Sequence, residues 1–175
     1  ILSGDIGVDN DYDDNSYHLM VMVDIPTTAD SIVIDGFNFE KGNANGNQII
    51  GYGTQGIYQG HGPGIYMQFN GNGQKTALRN LTFTGGTARI LGGAVELVYA
   101  SPYIQNCEFR DNRAIVGGGA LSNDHAASPY VVDCRFINNT AHSFGGAVFT
   151  QEAASRPVFV NCSFISNRAI ADPSG

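Results

Sequence analysis

The sequence predicts an all-β protein, a right-handed parallel β-helix of about five to six coils. Three observations predict this fold class. A Gly-Gly-Ala phrase recurs at Gly92, Gly118 and Gly145, at intervals of 26 and 27 residues. Phenylalanines recur with nearly the same period. The chain also has 23 Gly against 14% charged residues, a composition that favours turns over helices. Units this short cannot bury an apolar face alone, so they must stack on their neighbours.

Five segments of the chain align on one phenylalanine. The aligned residues, 44, 26, 27 and 28 positions apart, are Phe39, Phe83, Phe109, Phe136 and Phe164. Two positions earlier stand apolar residues or cysteines: Phe37, Leu81, Cys107, Cys134 and Cys162. Three positions before each Phe stand residue types that readily accept a left-handed backbone: Gly36, Asn80, Asn106, Asp133 and Asn161. The last three units carry an asparagine three positions after the Phe: Asn112, Asn139 and Asn167.

Each unit is predicted to be a short strand, a left-handed bend, a second strand, a turn at the Asn, and a Gly-Gly break into a third strand. Strands in a sheet lie about 4.8 Å apart, so stacked units place like residues above like. We therefore expect the Phe column and the column of Leu81 and the three cysteines to form interior ladders. The Asn column is expected to form hydrogen bonds from coil to coil.

A leucine-rich-repeat horseshoe is the alternative fold. The segment from Ile104 to Asn112 fits the phrase of that repeat, with apolar residues at the first, fourth and sixth places and Asn at the ninth. The horseshoe, however, needs the rest of each repeat to return as a helix or an apolar convex segment. Here the return is rich in Gly, Ser and Pro and lacks a helical period, which favours the β-helix.

We expect one domain over residues 1–175, because the chain is long enough for one core. Its predicted parts are an N-terminal coil with an acidic loop (1–30), a coil with an inserted loop at 43–64 (31–76), and regular repeats of 26–28 residues (77–175). The chain starts in a strand-like phrase and stops inside a repeat. We therefore expect the solenoid to continue, either as a longer polypeptide or through copies that meet end to end.

The charge and hydropathy patterns exclude two classes of partner. The net charge is -7, whereas binding to nucleic acid phosphates needs a basic surface. The chain contains no apolar run near 18 residues, so we expect no membrane span.

The repeat phrases resemble those of a known family. Gly-Gly-Ala followed by Ile, Leu or Val, paired with Phe-x-x-Asn, is similar to the repeat of chlamydial polymorphic outer-membrane proteins, which are surface adhesins with β-helical passenger domains. The phrases "ILSGDIG" and "NSYHLMVM" resemble a second group, the large secreted β-helix proteins of Bacteroidota. These resemblances imply a pectate-lyase-like solenoid and a secreted or cell-surface location. They also imply adhesion as the commonest role, with polysaccharide degradation in some relatives.

The segment "DIGVDNDYDDNSYH" concentrates five carboxylates in ten residues. Calcium takes oxygen ligands from flexible loops, and like charges this close repel each other unless they are neutralised. The segment is not an EF-hand, because Asp14 and Met20 stand where that loop needs Gly and Glu. The two interpretations left open are a solvated acidic loop and a Ca²⁺ site. The candidate ligands are Asp9, Asp11, Asp13 and Asp14.

Cys107, Cys134 and Cys162 stand at one repeat position, at spacings of 27 and 28 residues. Neighbouring coils would bring their Cα atoms within disulfide range, but parallel Cβ directions suit such a bond poorly. Three is also an odd number, and no histidine recurs beside them. We therefore expect three free thiols that pack in the core.

No catalytic residues are predicted. Outward carboxylates stacked on one face are expected in a hydrolase, but the repeat-equivalent residues Glu96, Ser122 and Phe149 differ in type. The four histidines are interpreted as loop residues. In the inserted loop and just after it, Tyr52, Tyr58 and Tyr66 are candidates for contact with sugars, although flexible filler is the simpler interpretation of the loop.

The function expected from the sequence is a non-enzymatic, extracellular module of a bacterial surface protein, either an adhesin stalk or a structural or filament component. Its expected partners are further coils, glycans or a neighbouring cell surface, with no cofactor except possible Ca²⁺. The alternative is a β-helix that binds or degrades polysaccharides, as a lyase or a glycoside hydrolase.

Overall fold

A computed structural model describes residues 1–6, 8, 11, 14–24, 31–53, 55–69 and 76–170. Its strands stack in parallel, and they form four complete coils with a partial coil at each end. Counting the partial coils, this agrees with the predicted five to six. No α-helix occurs among the described residues, and none of them forms a helix that could span a membrane. The all-β solenoid is confirmed, and the horseshoe alternative is wrong because the return segments are strands.

The strands are short, from two to four residues each. In chain order they are β1 (Leu2–Ser3), β2 (Met20–Val23), β3 (Ile32–Asp35), β4 (Asn38–Glu40), β5 (Asn43–Ala44), β6 (Ile49–Tyr52), β7 (Gln55–Tyr58), β8 (Ile65–Gln68), β9 (Thr76–Arg79), β10 (Thr82–Thr84), β11 (Thr87–Ala88), β12 (Val95–Val98), β13 (Tyr103–Gln105), β14 (Glu108–Arg110), β15 (Arg113–Ala114), β16 (Leu121–Asp124), β17 (Tyr130–Val132), β18 (Arg135–Ile137), β19 (Thr140–Ala141), β20 (Val148–Thr150), β21 (Val158–Val160), β22 (Ser163–Ile165) and β23 (Arg168–Ala169).

Four parallel sheets run along the solenoid. Sheet A contains β1, β4, β10, β14, β18 and β22, and sheet B contains β2, β8, β12, β16 and β20. Sheet C contains β3, β9, β13, β17 and β21, and sheet D contains β5, β11, β15, β19 and β23. A complete coil passes through sheets C, A, D and B in that order. Only β6 and β7 leave this pattern, because they pair with each other as an antiparallel hairpin.

The Phe column lies inside the solenoid on sheet A. Register pairs each phenylalanine with the one in the next coil, from Phe39 to Phe164. Successive ring centroids lie 4.7–4.9 Å apart with nearly parallel planes. The column of Leu81, Cys107 and Cys134 is also buried. Phe37, which the repeat aligns with them, is instead exposed, so the interior ladder begins one coil later than its sequence pattern predicts.

Each corner of a coil is marked by a residue with positive φ. Between sheets C and A these are the predicted bend residues Gly36, Asn80, Asn106, Asp133 and Asn161, with φ from 50° to 76°. Between sheets D and B the first Gly of each Gly-Gly-Ala phrase takes this role. The second Gly is needed for close approach, since a Cβ on Gly119 would collide with the carbonyl oxygen of Gly146. The Gly-Gly-Ala phrase is therefore needed both for the corner between sheets D and B and for the close stacking of neighbouring coils.

The Asn column forms a continuous hydrogen-bonded ladder. The Asn112 side-chain amide donates to Asn139 Oδ1 at 3.0 Å, and that of Asn139 donates to Asn167 Oδ1 at 2.9 Å. Each amide also donates to the carbonyl of a phenylalanine one coil earlier, Phe83 or Phe109. These bonds satisfy backbone groups at a buried corner, where unpaired groups would be costly.

Sheet D is absent from the sequence prediction, which gave each unit three strands. Its strands are two residues long and follow the Asn position directly. Their second residue is always alanine, and Ala44, Ala88 and Ala114 form a small buried cluster of their own. Alanine has no strong strand preference, and a two-residue strand has no visible period, so the repeat gave no signal for this sheet.

The three cysteines are free, with Cys107 and Cys134 buried and Cys162 half-buried. Hydrogen bonding to Cys107 and burial together raise the pKa of the Cys134 thiol, and burial raises the pKa of Cys162. Since the thiolate is the reactive form, we expect slow labelling of the native protein by a thiol reagent. Cys162 should react first, and the other two only after denaturation. Rapid reaction of all three thiols in the native protein would contradict this packing.

Candidate functional site

The outer face of sheet B carries the chain's most unusual polar residues. Side chains alternate along each strand, with Ile65, Val95 and Leu121 packed in the core. The positions that follow them point outward and form a column across the coils. In order, the column contains Val21, Tyr66, Glu96, Ser122 and Phe149. A second outward column, two residues further along, contains Val23, Gln68, Val98 and Asp124.

Glu96 is fully buried although it lies on an outward column. The backbones of Gly62 and Gly92 lie against its side chain, which leaves no room for a Cβ at either glycine. His61 Nδ1 lies 3.7 Å from Glu96 Oε1, beyond hydrogen-bonding distance. Within the part of the chain that the structure describes, neither carboxylate oxygen of Glu96 has a hydrogen-bond partner, and the same holds for Ser122 Oγ. Unpaired buried groups of this kind are uncommon in native proteins and are a reason to consider a functional site.

The β6–β7 hairpin covers the neighbouring part of this face. The Tyr66 hydroxyl donates to the Gly56 carbonyl at 3.2 Å and to Gln68 Oε1 at 2.9 Å. The Gln68 amide donates to Gln55 Oε1 on the hairpin at 2.6 Å. His18 packs beside the Tyr66 ring, with centroids 5.6 Å apart. The inserted loop is therefore an ordered cover over sheet B, and not the flexible filler that its composition suggested.

Burial shifts the pKa values of Glu96, Tyr66 and His18, in each case in the direction that favours the neutral form of the side chain. It raises the pKa of Glu96, and contact with His61 only partly offsets the rise. Burial also raises the pKa of Tyr66, with a further contribution from Glu96. The pKa of His18 is lowered by burial, against a hydrogen bond from its Nδ1 to the Gly62 carbonyl. A buried carboxylic acid with a raised pKa is also found among catalytic general acids.

Glu96→Gln should remove a pH dependence of stability. Because the pKa of Glu96 is raised in the folded state, its stabilising effect is present below the ordinary value of 4.5 and is lost as pH rises above it. The melting temperature of the variant relative to the wild type should therefore be higher at about pH 8 than at about pH 4. His18 is present in both proteins, so its opposite effect on the pH dependence of stability cancels when the two melting temperatures are subtracted. An equal difference at the two pH values would show that Glu96 titrates normally.

A shallow groove lies between the edge of sheet B and the hairpin. Its walls are Val21, Val23, Tyr52 and Ile57. Tyr52 is 59% exposed and Tyr58 is 39% exposed, so both rings are available to a ligand. Tyr66 is fully buried, because the hairpin covers it, and it cannot contact a sugar in this state. The prediction of three sugar-contacting tyrosines is corrected to two.

A third group of polar residues lies at the corner that follows sheet B. Asp124, His125 and Glu152 bring one potential ligand atom each to within 4.8 Å of one another. Asp124 is buried, while the His125 and Glu152 side chains are partly exposed. His125 lies in a turn, as its interpretation as a loop residue predicts, but it lies there beside two carboxylates.

A family model described as "Right handed beta helix region" matches residues 27–172, which is most of the chain. The chain belongs to the right-handed β-helix family. This β-helix family includes both enzymes and non-enzymatic proteins, and membership is consistent with surface or polysaccharide-related roles. No curated protein and no solved structure matches the chain.

The acidic segment of this β-helix protein is only partly described. Asp9 and Asp13 lie outside the described residues. Asp14 Oδ2 accepts a hydrogen bond from the Val8 backbone N–H at 2.8 Å, and Asp5 forms an ion pair with Lys41 at 2.6 Å. Calcium binding by Asp9, Asp11, Asp13 and Asp14 stays a prediction.

Sequence reasoning missed most of the polar face of sheet B. Along one outward column Glu96, Ser122 and Phe149 differ in type, so that column gives no sign of a catalytic site. Strand alternation places Glu96 and Asp124 on the same face, two residues apart in register, and this juxtaposition was the available signal. The positions of half-buried His18 and buried His61 beside this face had no signal in the repeat, because both lie in segments that interrupt it.

Proposed function

We propose that the chain is a non-enzymatic, extracellular binding module of a bacterial surface protein, and that the β6–β7 hairpin contacts neutral glycans. One observation carries this proposal. An ordered hairpin interrupts the regular solenoid, and that hairpin holds exposed Tyr52, Tyr58, Ile49 and Ile50 beside a groove. Clustered exposed apolar groups on a soluble surface mark binding sites. The resemblance of the repeats to those of surface adhesins supports the extracellular setting.

The chemistry of the hairpin favours a neutral glycan as the ligand. Residues 42–60 contain no Asp, Glu, Lys or Arg. A tyrosine ring offers an apolar face together with a polar hydroxyl, which suits the mixed surface of a sugar. Asn45, Asn47 and Gln48 are exposed nearby and can donate and accept hydrogen bonds. Acidic polysaccharides are disfavoured by the net charge of -7.

Affinity electrophoresis through gels that contain neutral polysaccharides tests this proposal. We expect retardation of the wild type, and about fivefold weaker binding for each of Tyr52→Ala and Tyr58→Ala, since one aromatic contact contributes about 1 kcal/mol. Tyr130→Ala is the matched control, because Tyr130 is 46% exposed but lies on sheet C. If Tyr52→Ala, Tyr58→Ala and Tyr130→Ala are all retarded as strongly as the wild type, the glycan binds outside the hairpin. Binding to proteins but to no glycan would overturn the choice of ligand.

Hydrolysis of a polysaccharide is the second candidate function. Glu96 and Asp124 point outward from adjacent strands with an offset of two residues, which separates their Cβ atoms by roughly 8 Å. Inverting glycosidases hold their two carboxyl groups about 6.5–9.5 Å apart, and their general acid has a raised pKa. Burial raises the pKa of Glu96 in this way. Because Glu96 is fully buried, this function also requires the cover over sheet B to open.

Release of reducing ends from neutral polysaccharides tests hydrolysis. Turnover by the wild type that Glu96→Gln abolishes, while Tyr130→Ala retains it, would favour this candidate over the binding module. Without turnover by the wild type, the second candidate fails and the binding proposal is unaffected.

Stacking of further coils on the last described coil is proposed as well. Among the residues that the structure describes, strands β21, β22 and β23 have a partner strand on one side only. Val160, Phe164 and Ile165 are exposed along this edge. Exposed edge strands with apolar side chains favour the addition of more strands, either from the same polypeptide or from a second copy. Light scattering across a range of concentrations tests the second of these.

A further inference from the structure

We propose that Asp124, His125 and Glu152 form a binding site for a divalent transition metal, with Zn²⁺ as the best-suited ion. The site is separate from the hairpin and does not depend on glycan binding. Asp124 ends β16, His125 follows it at the corner, and Glu152 lies at the corresponding corner after β20. Stacking of two coils therefore brings together residues that are 27 positions apart in the chain.

The three ligand atoms are close enough for one ion to contact all of them. One oxygen or nitrogen from each residue lies within 4.8 Å of the other two. Zn²⁺ binds histidine nitrogen and carboxylate oxygen at about 2.0–2.2 Å, so two ligands of one tetrahedral ion lie roughly 3.3 Å apart. Asp124 Oδ2 and His125 Nδ1 are 3.0 Å apart, which matches that separation. The Glu152 carboxylate lies 3.8 Å from His125 Nε2, the nitrogen that faces away from an ion bound at Nδ1. Its partly exposed side chain must therefore rotate to bring an oxygen to the ion beside Nδ1.

The Asp124–His125 pair is short but does not form a side-chain hydrogen bond. His125 Nδ1 is enclosed and has no hydrogen-bond partner among the described residues, even though the Asp124 carboxylate is next to it. The other carboxylate oxygen, Asp124 Oδ1, accepts the His125 backbone N–H at 2.8 Å. This bond fixes the carboxylate and leaves Oδ2 available. Two atoms with available lone pairs face the same small volume, which is the arrangement that a cation would satisfy.

The ligand types select the class of metal. Imidazole together with carboxylates suits zinc and neighbouring transition metals, whereas calcium prefers oxygen ligands alone. The Tyr99 ring packs against the imidazole with centroids 5.0 Å apart, which restricts its orientation. Since the His125 and Glu152 side chains are partly exposed, three protein ligands leave a coordination position for water. A zinc ion held by three residues with an open fourth position can exchange ligands, unlike a closed structural site.

Isothermal titration of the full chain with ZnCl₂, after treatment with a chelator, tests the proposal. We expect saturable binding of one ion by the wild type. His125→Asn and Glu152→Gln should each weaken the binding at least tenfold. Asparagine is chosen because His125 has a φ of 50°, a conformation that asparagine accepts readily. His142→Asn is the matched control, since His142 lies at another corner, beside Arg113.

Two further measurements keep the outcome unambiguous. Circular dichroism of each variant establishes that it is folded. Titration with CaCl₂ separates this site from the acidic segment, because any Ca²⁺ binding by that segment should be unchanged in His125→Asn. If the wild type does not bind Zn²⁺ saturably, His125 is only an imidazole between two carboxylates and the proposal is wrong. Zinc binding that is equal in the wild type and in folded His125→Asn and Glu152→Gln would overturn it too.

Discussion

Phe136→Ala is expected to lower the free energy of unfolding by about 3–5 kcal/mol, the usual cost of removing a buried ring. The Phe136 ring is fully buried and stacked between those of Phe109 and Phe164, with centroids 4.7 and 4.8 Å away. Truncation leaves a cavity between two coils that the rigid backbone ladders on either side cannot close. In a chain of this size the melting temperature should fall by roughly 6–20 °C. Urea denaturation followed by circular dichroism measures the loss.

Phe164→Ala is the matched control for this prediction. Phe164 belongs to the same column but is 49% exposed, because the described coils cover only one face of its ring. Its replacement should cost less than half as much as that of Phe136. Equal losses at both positions, or an unchanged melting temperature for Phe136→Ala, would contradict the stacked Phe ladder.

Asn139→Ala should lower the free energy of unfolding by about 2–4 kcal/mol, although it removes few apolar contacts. The Asn139 side chain donates to the Phe109 carbonyl and to Asn167 Oδ1, both at 2.9 Å. Its own Oδ1 accepts the backbone N–H and the side-chain amide of Asn112, at 3.1 and 3.0 Å. Alanine leaves these buried groups without partners, and desolvated groups that lack hydrogen bonds are destabilising.

The position of Asn139 in the middle of the ladder provides its control. Asn167 ends the ladder and is only half-buried. Water can therefore replace some of the hydrogen bonds that Asn167→Ala removes, such as the one to the Phe136 carbonyl. Denaturant midpoints for the two variants should therefore differ, with the larger shift for Asn139. A midpoint for Asn139→Ala that equals the wild-type value would show that the ladder does not contribute to stability.

The coil stacking was predictable from the sequence because stacking forces like residues into register. The spacing of the Phe, Cys and Asn columns reflects one physical constraint, that each coil must fit the one beneath it. The left-handed corner between sheets C and A was predictable as well, since Asn, Asp and Gly at one repeat position share an unusual backbone preference. The phrase Gly-Gly-Ala combines a positive φ with a close backbone approach, and few residue pairs satisfy both.

The candidate site was less predictable because it departs from the repeat. Glu96 lies at a position where the other coils have Tyr66, Ser122 or Phe149, so no column identifies it. Its burial depends on Gly62 and His61, which belong to the insertion. The composition of the β6–β7 hairpin predicts a flexible loop. Its order is recognised from its hydrogen bonds with Tyr66 and Gln68. Sites built by segments outside a repeat need tertiary contacts before they can be recognised.

A glycan array probed with the fluorescently labelled wild-type chain tests the central functional claim most directly. The array should present neutral, uronic-acid and sulfated glycans side by side, and the Tyr52→Ala, Tyr58→Ala double variant should be probed in parallel. We predict binding to neutral glycans by the wild type, and loss of that binding in the folded double variant. Binding to acidic glycans alone, or neutral binding that the double variant retains, would contradict recognition by the hairpin.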